Sequence, residues 1–368
     1  MSRIAWTNET WNPLAGCARV SSGCAHCYAI RDAHRMAGHP NPKTAAAYAD
    51  LTFRHPNGSL DWTGMVRLLP ERLTQPLRWT KPRRIFVNSL SDPFHRDVPD
   101  EYLAHLFAIM ALAPQHTFQV LTKRPARMAE WVHGAGPRTR AHVHALVDQS
   151  TRSSMDPNRR TGVRRALATL ASTLGPVTGL DTAVVALTPW PLPNVWLGVS
   201  VEDQNAATAR VPHLLNTPAA LRFLSCEPLL SPLILDLLAH QVPGAGPGTL
   251  NALTGEWWPS VGHAEQENRG RDRGATRVDW VIAGGESGPH ARPMDPHWAR
   301  SLHEQCRSAR VSFFFKQAGE ALARTWGCTD RKGAIPLEWP EAFRIQDYPA
   351  ARAGGHHPAD REAAMNRG

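Results

Sequence analysis

The chain has no apolar run approaching the roughly 18 residues that a bilayer-spanning helix needs, and tyrosine is scarce, at four in 368 residues. Acidic charge is in deficit: 32 Asp and Glu stand against 41 Lys and Arg, a formal net charge of +9 at pH 7. The first absence argues against a membrane protein. The opening Met-Ser-Arg-Ile-Ala-Trp has neither a continuous apolar segment nor a small-residue cleavage site, so a cytoplasmic protein without a secretory leader is expected. Cysteine is sparse as well, with six residues, and a chain that can bury a core of this size needs no disulfide staples. Yet three of the six, Cys17, Cys24 and Cys27, crowd into eleven residues. In a reducing compartment such clustering reads as metal or redox chemistry rather than cross-linking. Cys226, Cys306 and Cys328 are scattered, and the expectation for them is small buried apolar residues.

The basic excess is uneven. From Lys123 to Leu170 ten Lys and Arg face three acids, Glu130, Asp148 and Asp156, which suggests an electrostatic footprint for nucleic acid. Arginine also accumulates on surfaces that have no such partner. Trp62, Trp79, Trp257 and Trp258 are candidates for stacking on bases, although tryptophans in α/β proteins more often line the core.

Short runs rich in β-branched and aromatic residues recur at 84–89, 118–122, 195–201, 221–225, 279–284 and 311–316, with a shorter one before Cys17. Their continuous apolar character predicts strands buried on both faces, as in a parallel sheet. Helices are predicted between them at 100–113, 125–132, 203–215 and 295–309, where an acid or a proline marks the first turn. Strand and helix in alternation predict an α/β fold, a barrel or an open sheet. We expect one domain over 1–349, interrupted by loop-rich insertions at about 133–190 and 240–277, and a loose tail over 350–368.

The strand candidates end in polar clusters: Asn88, Ser89, Ser91 and Asp92; Lys123 and Arg124; Ser200 and Glu202; Glu227; Glu286; Lys316 and Gln317. In such folds the C-terminal strand ends converge on one rim, where sites are built. Any α/β protein has polar residues after its strands, but the acids and the Lys-Arg pair point to a shared active rim.

Cys17-x6-Cys24-x2-Cys27 supplies three thiolates and leaves a fourth position open on a bound centre. An iron–sulfur cluster and a zinc ion with His26 or a distant cysteine as fourth ligand both satisfy that count. His26 lies beside Cys27, and adjacent residues chelate one tetrahedral ion poorly.

Cys24-Ala-His-Cys27-Tyr28, at the end of a first strand and opening a helix over 28–36, resembles the cluster loop of radical S-adenosylmethionine (SAM) enzymes. More closely, Trp11-Asn-Pro-Leu-Ala-Gly-Cys17 with Gly23-Cys-Ala-His-Cys-Tyr-Ala29 is similar to a phage and bacterial three-Cys-motif family of unknown activity, regarded as radical-SAM-like. The segments 87–94, 121–125, 196–202, 225–228 and 284–288 share the likeness, which covers most of the core and neither insertion. It implies a partial (β/α) barrel of TIM type. It further implies that Cys17, Cys24 and Cys27 each ligate one iron of a [4Fe–4S] cluster whose fourth iron binds SAM, so that a 5′-deoxyadenosyl radical attacks a nucleic acid or nucleotide.

The same resemblance implies roles for the rim. The backbone of His26 would meet the adenine and Tyr28 would pack beside the cluster. Asn88, Ser91 and Asp92 would hold the methionine amino group, and Lys123 or Arg124 its carboxylate. Ser200, Glu202 and Glu227 would face ribose or substrate. A one-electron donor such as a flavodoxin or ferredoxin is implied, and a partner protein that completes the site is a further candidate. The chain departs from the common pattern in its six-residue first spacing, in its seven strands where six is usual, and in having no Gly-Gly-Glu after the second strand; Gly284-Gly-Glu286 comes much later. The competing reading is a zinc-bearing, non-catalytic nucleic-acid-binding protein, and a cluster-dependent lyase similar to photoproduct repair enzymes is a special case of the first.

Overall fold

A computed structural model describes residues 4–150, 157–174, 180–242, 246–259 and 276–350. Seven strands form one parallel sheet in sequential order: β1 (Glu9–Thr10), β2 (Arg84–Val87), β3 (Thr117–Thr122), β4 (Val195–Ser200), β5 (Leu221–Cys226), β6 (Trp280–Gly284) and β7 (Ser312–Gln317). The sheet curls into a half-barrel in a mixed α/β fold. β2 to β7 coincide with the six apolar runs in the sequence; β1, the short strand before Cys17, is the polar pair Glu9–Thr10.

The side-chain alternation of a strand explains how the sheet serves two cores at once. On β5, Leu224 and Cys226 face the helix layer, while Leu221 and Phe223 enter a second cluster on the other face, with Phe86, Trp280, Ile282 and Phe314. Trp6 fills the middle of that cluster, with ring centroids 4.8 Å from Phe86 and 6.2 Å from Trp280. Rings of this size each contribute about 1.5–3 kcal/mol on burial. Towards the C-terminal strand ends the same face turns polar, through Ser200, Ser225 and Lys316. The plug of rings thus forms the floor of a cavity whose walls carry polar side chains from the strand ends.

α1 (Tyr28–Ala37) follows the cysteine loop and packs in a separate cluster with Tyr48, Leu51 and Trp62; the later helices cover the other face, where α2 (Asp100–Ala111) joins β2 to β3. α6 (Gln204–Leu215) and α7 (Pro296–Ser308) start where Asp203 and Asp295 cap them, accepting hydrogen bonds from the backbone N–H of Ala206 and His297 at 2.8 Å each. Beyond β7, α8 (Glu320–Trp326) leads to residues 345–348, which run antiparallel along β7. There Tyr348 donates to the Ala5 carbonyl across the open side of the half-barrel.

The insertions differ from expectation. Residues 133–190 are largely helical: α3 (Pro125–Ser150) continues past the expected end at 132, followed by α4 (Pro157–Leu174) and α5 (Leu180–Leu187). Gly134, Gly136 and Pro137 read as breakers, but the buried stripe Trp131, Ala135, Thr139, Val143 and Leu146 holds the helix against its neighbours. The second insertion contains a three-stranded antiparallel sheet, 238–242, 246–250 and 257–259. Its residues 260–275 and the expected tail from 351 onward lie outside the described residues. Among the described residues no helix is long and apolar enough to cross a membrane.

Candidate functional site

A cavity of about 1090 Å3 opens at the C-terminal ends of the strands. Cys17, Cys24 and Cys27 line it, and so do His26, Tyr28, Asn88, Ser91, Asp92, Lys123, Arg124, Ser200 and Glu227. Of the residues singled out in the sequence, only Glu202 stands apart from that lining.

The cysteine loop is held from several sides. Gly16 has φ +90°, and a Cβ there would lie 2.2 Å from the Met65 carbonyl oxygen, so only glycine fits ahead of Cys17. Arg19 ties the loop to Asp61 at 2.7 Å and to the Ala25 carbonyl at 3.2 Å. Gly23 crosses directly over a buried ion pair, where a Cβ would meet Lys123 Nζ at 2.6 Å and the Glu202 carboxyl carbon at 2.9 Å. Cys27 then caps α1, whose face carrying Tyr28, Arg31 and Arg35 borders the cavity while Ile30 and Ala33 pack into the protein.

Asp92 joins strand ends rather than presenting a free carboxylate. Its Oδ1 accepts from the Thr122 hydroxyl at 2.7 Å and the Phe94 N–H at 2.9 Å; its Oδ2 accepts from Arg124 Nη1 at 2.8 Å and the Lys123 N–H at 3.1 Å. Arg124 passes this anchorage on to the loop, donating to Ala18 O at 3.0 Å and reaching Cys17 Sγ at 3.7 Å. Burial pushes the Cys17 thiol up to about 12, aided by Asp92 and opposed by Arg124. Burial raises Cys27 as well. Buried thiols keep their protons until a cation takes their place, so ligation at this loop releases protons.

Asn88 is buried, and its Nδ2 donates to Ser91 Oγ and, at 3.4 Å, to Leu14 O. Its Oδ1 has no hydrogen-bond partner among the described residues, which leaves a buried acceptor at a residue that lines the cavity. Tyr28 donates to the Ser89 carbonyl at 3.0 Å. On the far wall Glu227 pairs with Lys316 at 2.6 Å.

Glu202, expected at the rim, is fully buried beneath the loop and bonded to Arg210 at 2.8 Å and to Lys123 at 3.4 Å. Burial alone raises a carboxyl, but these two cations hold Glu202 below its usual range. It supports the loop, accepting from the Gly23 N–H at 3.4 Å, and does not line the cavity. Glu286 is the residue that sequence reasoning set aside. It lines the cavity and accepts from His26 Nδ1 at 2.9 Å and from Arg292 Nε at 3.0 Å. Burial pushes its carboxyl up, and the bonds from Arg292 and His26 more than offset that, holding it at about 2. Gly284-Gly-Glu286 was visible in the sequence, but nothing there placed it opposite His26.

Among the described residues, which leave out 151–156, the basic stretch 123–170 does not form one free surface. Lys123 and Arg124 belong to the site, Arg127 and Arg138 bond to Asp100, and Arg165 donates to the carbonyls of Leu77 and Trp79. Trp62 is buried, whereas Trp258 is exposed. All six cysteines are free thiols, with Cys226 and Cys306 fully buried as expected and Cys328 only partly so. Among the described residues no three His, Cys, Asp or Glu side chains are gathered tightly enough to hold a single metal ion.

A family model described as a protein of unknown function (DUF5131) matches residues 1–354. No curated protein and no solved structure matches the chain.

Proposed function

The chain belongs to the DUF5131 family, and from its own site we propose that it is an iron–sulfur enzyme of the radical-SAM kind, on a partial TIM-type barrel, acting on a nucleic acid or nucleotide. One observation carries this reading: the three cysteines face a large cavity at the C-terminal ends of a curled parallel sheet, together with polar groups from six strand ends, those of β2 to β7. A four-iron cluster takes each thiolate on a different iron, so the sulfurs need to share a cavity and not converge on one point. Cys17, Cys24 and Cys27 would hold it. Such a centre, when SAM is bound, supplies the electron that cleaves the sulfonium and yields a 5′-deoxyadenosyl radical.

The protein's own part is positioning. Asp92 holds Arg124, which orients Cys17, and Glu286 fixes His26 between Cys24 and Cys27. The unpartnered Asn88 Oδ1 suits an ammonium, which makes it the better seat for the methionine amino group than the fully bonded Asp92. The Glu227–Lys316 pair offers both an acceptor and a donor to ribose or carboxylate. The ring-plugged floor keeps water from the cavity's base.

The test is anaerobic purification with iron, sulfide and zinc analysis, followed by assay of 5′-deoxyadenosine formed from SAM under reduction. About four irons with matching sulfide, lost in Cys24→Ala, support the reading. Stoichiometric zinc without sulfide sinks it.

A further inference from the structure

The charges around the cavity are almost all matched. Five carboxylates line it, and each is already paired with a cation of this chain: Asp32 with Arg35 at 3.2 Å, Asp92 with Arg124 at 2.8 Å, Glu227 with Lys316 at 2.6 Å, Glu286 with Arg292 Nε at 3.0 Å and Glu320 with Arg331 at 2.8 Å. Two lining cations are left over. Arg31 and Lys332 make no ion pair and no side-chain hydrogen bond among the described residues.

They come from different elements of the lining. Arg31 lies four residues after Cys27, on the face of α1 that borders the cavity, and its guanidinium rests against the Gly288 backbone, where a Cβ would come within 2.2 Å of Nη2. Lys332 belongs to the segment after α8 whose carbonyl accepts from the Gly319 N–H at 3.0 Å. A fork donor from one element and a point charge from another suit a phosphate, which accepts bidentate bonds from arginine and a single strong bond from lysine. The matched carboxylates do not oppose an incoming anion, and the chain's charge of +9 attracts one from a distance. Room is available too, since about 1090 Å3 exceeds the usual span for one small ligand, ~300–1,000 Å3.

We infer that Arg31 and Lys332 are the phosphate contacts of this cavity, so that the substrate is a phosphate-bearing molecule, a free nucleotide or a nucleic-acid strand. This phosphate seat stands on the charge balance alone; its assignment to the substrate rests on the radical-SAM reading above. The full-length chain is titrated with a nucleoside 5′-monophosphate and, separately, with a short single-stranded oligonucleotide at several salt concentrations. Arg31→Gln/Lys332→Gln is compared with Arg96→Gln, an 88% exposed arginine away from the cavity.

For at least one probe the double variant is expected to bind about tenfold or more weakly, and for the oligonucleotide the dependence of log Kd on log salt should fall by about 0.7 per lost contact. Arg96→Gln should change Kd less than about twofold, consistent with a surface charge remote from the site. The probe that loses affinity identifies the source of the phosphate. Failure of both probes to bind, or equal effects of the double variant and Arg96→Gln, overturns the seat. Iron and sulfide measured on the same samples keep the two readings apart. A cluster-loaded chain indifferent to Arg31→Gln/Lys332→Gln refutes the seat alone, whereas an iron-free chain that loses phosphate binding in that variant refutes the cluster and retains the seat.

Discussion

His26 Nδ1 and Glu286 Oε2 lie 2.9 Å apart although 260 residues separate them. The bond pins the cysteine loop to the end of β6, and Arg292 holds Glu286 in place from six residues further on.

This carboxylate should leave a signature in acid. Its pKa is depressed in the folded chain, so the stability it contributes is complete above its unfolded value near 4.5 and is lost as pH falls towards about 2. Thermal unfolding of the metal-free protein should therefore show the melting temperature dropping through that window. Glu286→Gln should lower the melting temperature at neutral pH and flatten the acid slope. An unchanged slope in the variant would mean that other carboxylates set it.

The buried anion beneath the loop should behave differently. Glu202 is fully buried and compensates Arg210 and Lys123, so Glu202→Ala leaves two cations unpaired and should cost about 3–5 kcal/mol, read as a lower denaturant midpoint. Arg96→Gln, on the surface, should stay within about 0.5 kcal/mol of the parent. A loss under about 1 kcal/mol for Glu202→Ala would show that the pair is not what supports Gly23 and the loop.

The contrast between these two acids shows what the sequence can and cannot carry. Six of the seven strands were legible because burial on both faces leaves continuous apolar runs, and the helix starts at Asp203 and Asp295 because capping is a local event. Direction was not legible: Glu202 and Glu286 both follow a strand, yet one turns under the loop towards Arg210 and the other faces the cavity. Helix α3 was cut short in the sequence because Gly134, Gly136 and Pro137 signal a break, while the packing that overrides them comes from α2 and α5, elements distant in the chain.

Arg124 links the strand ends to the first cysteine, so its geometry matters beyond its charge. Lysine retains the charge and loses the fork that reaches Asp92, Ala18 O and Cys17 together. Hydrogen bonds to ligating sulfur raise a cluster's reduction potential. Arg124→Lys should thus give a reconstituted protein with a more negative midpoint potential, measured by redox titration followed by electron paramagnetic resonance, and a several-fold faster loss of iron to a chelator. A variant matching the parent in both measurements would remove Arg124 from the account of the cysteine loop.

Gly16 provides a test of the loop's backbone that touches no charge. With φ +90° and the Met65 carbonyl oxygen 2.2 Å from any added Cβ, Gly16→Ala combines left-handed strain with a clash that only backbone movement can relieve. Gly58 is the control, because its φ is +84° while nothing lies within 4 Å of a Cβ there. Gly58→Ala should cost only the conformational part, about 1–2 kcal/mol. Gly16→Ala should cost more than Gly58→Ala and, because the displaced residue precedes Cys17, should also lower the iron retained after reconstitution. Denaturant midpoints and iron content of the two variants, measured side by side, separate a general loss of stability from displacement of the ligand: if iron falls equally in both, Gly16 has no special hold on Cys17.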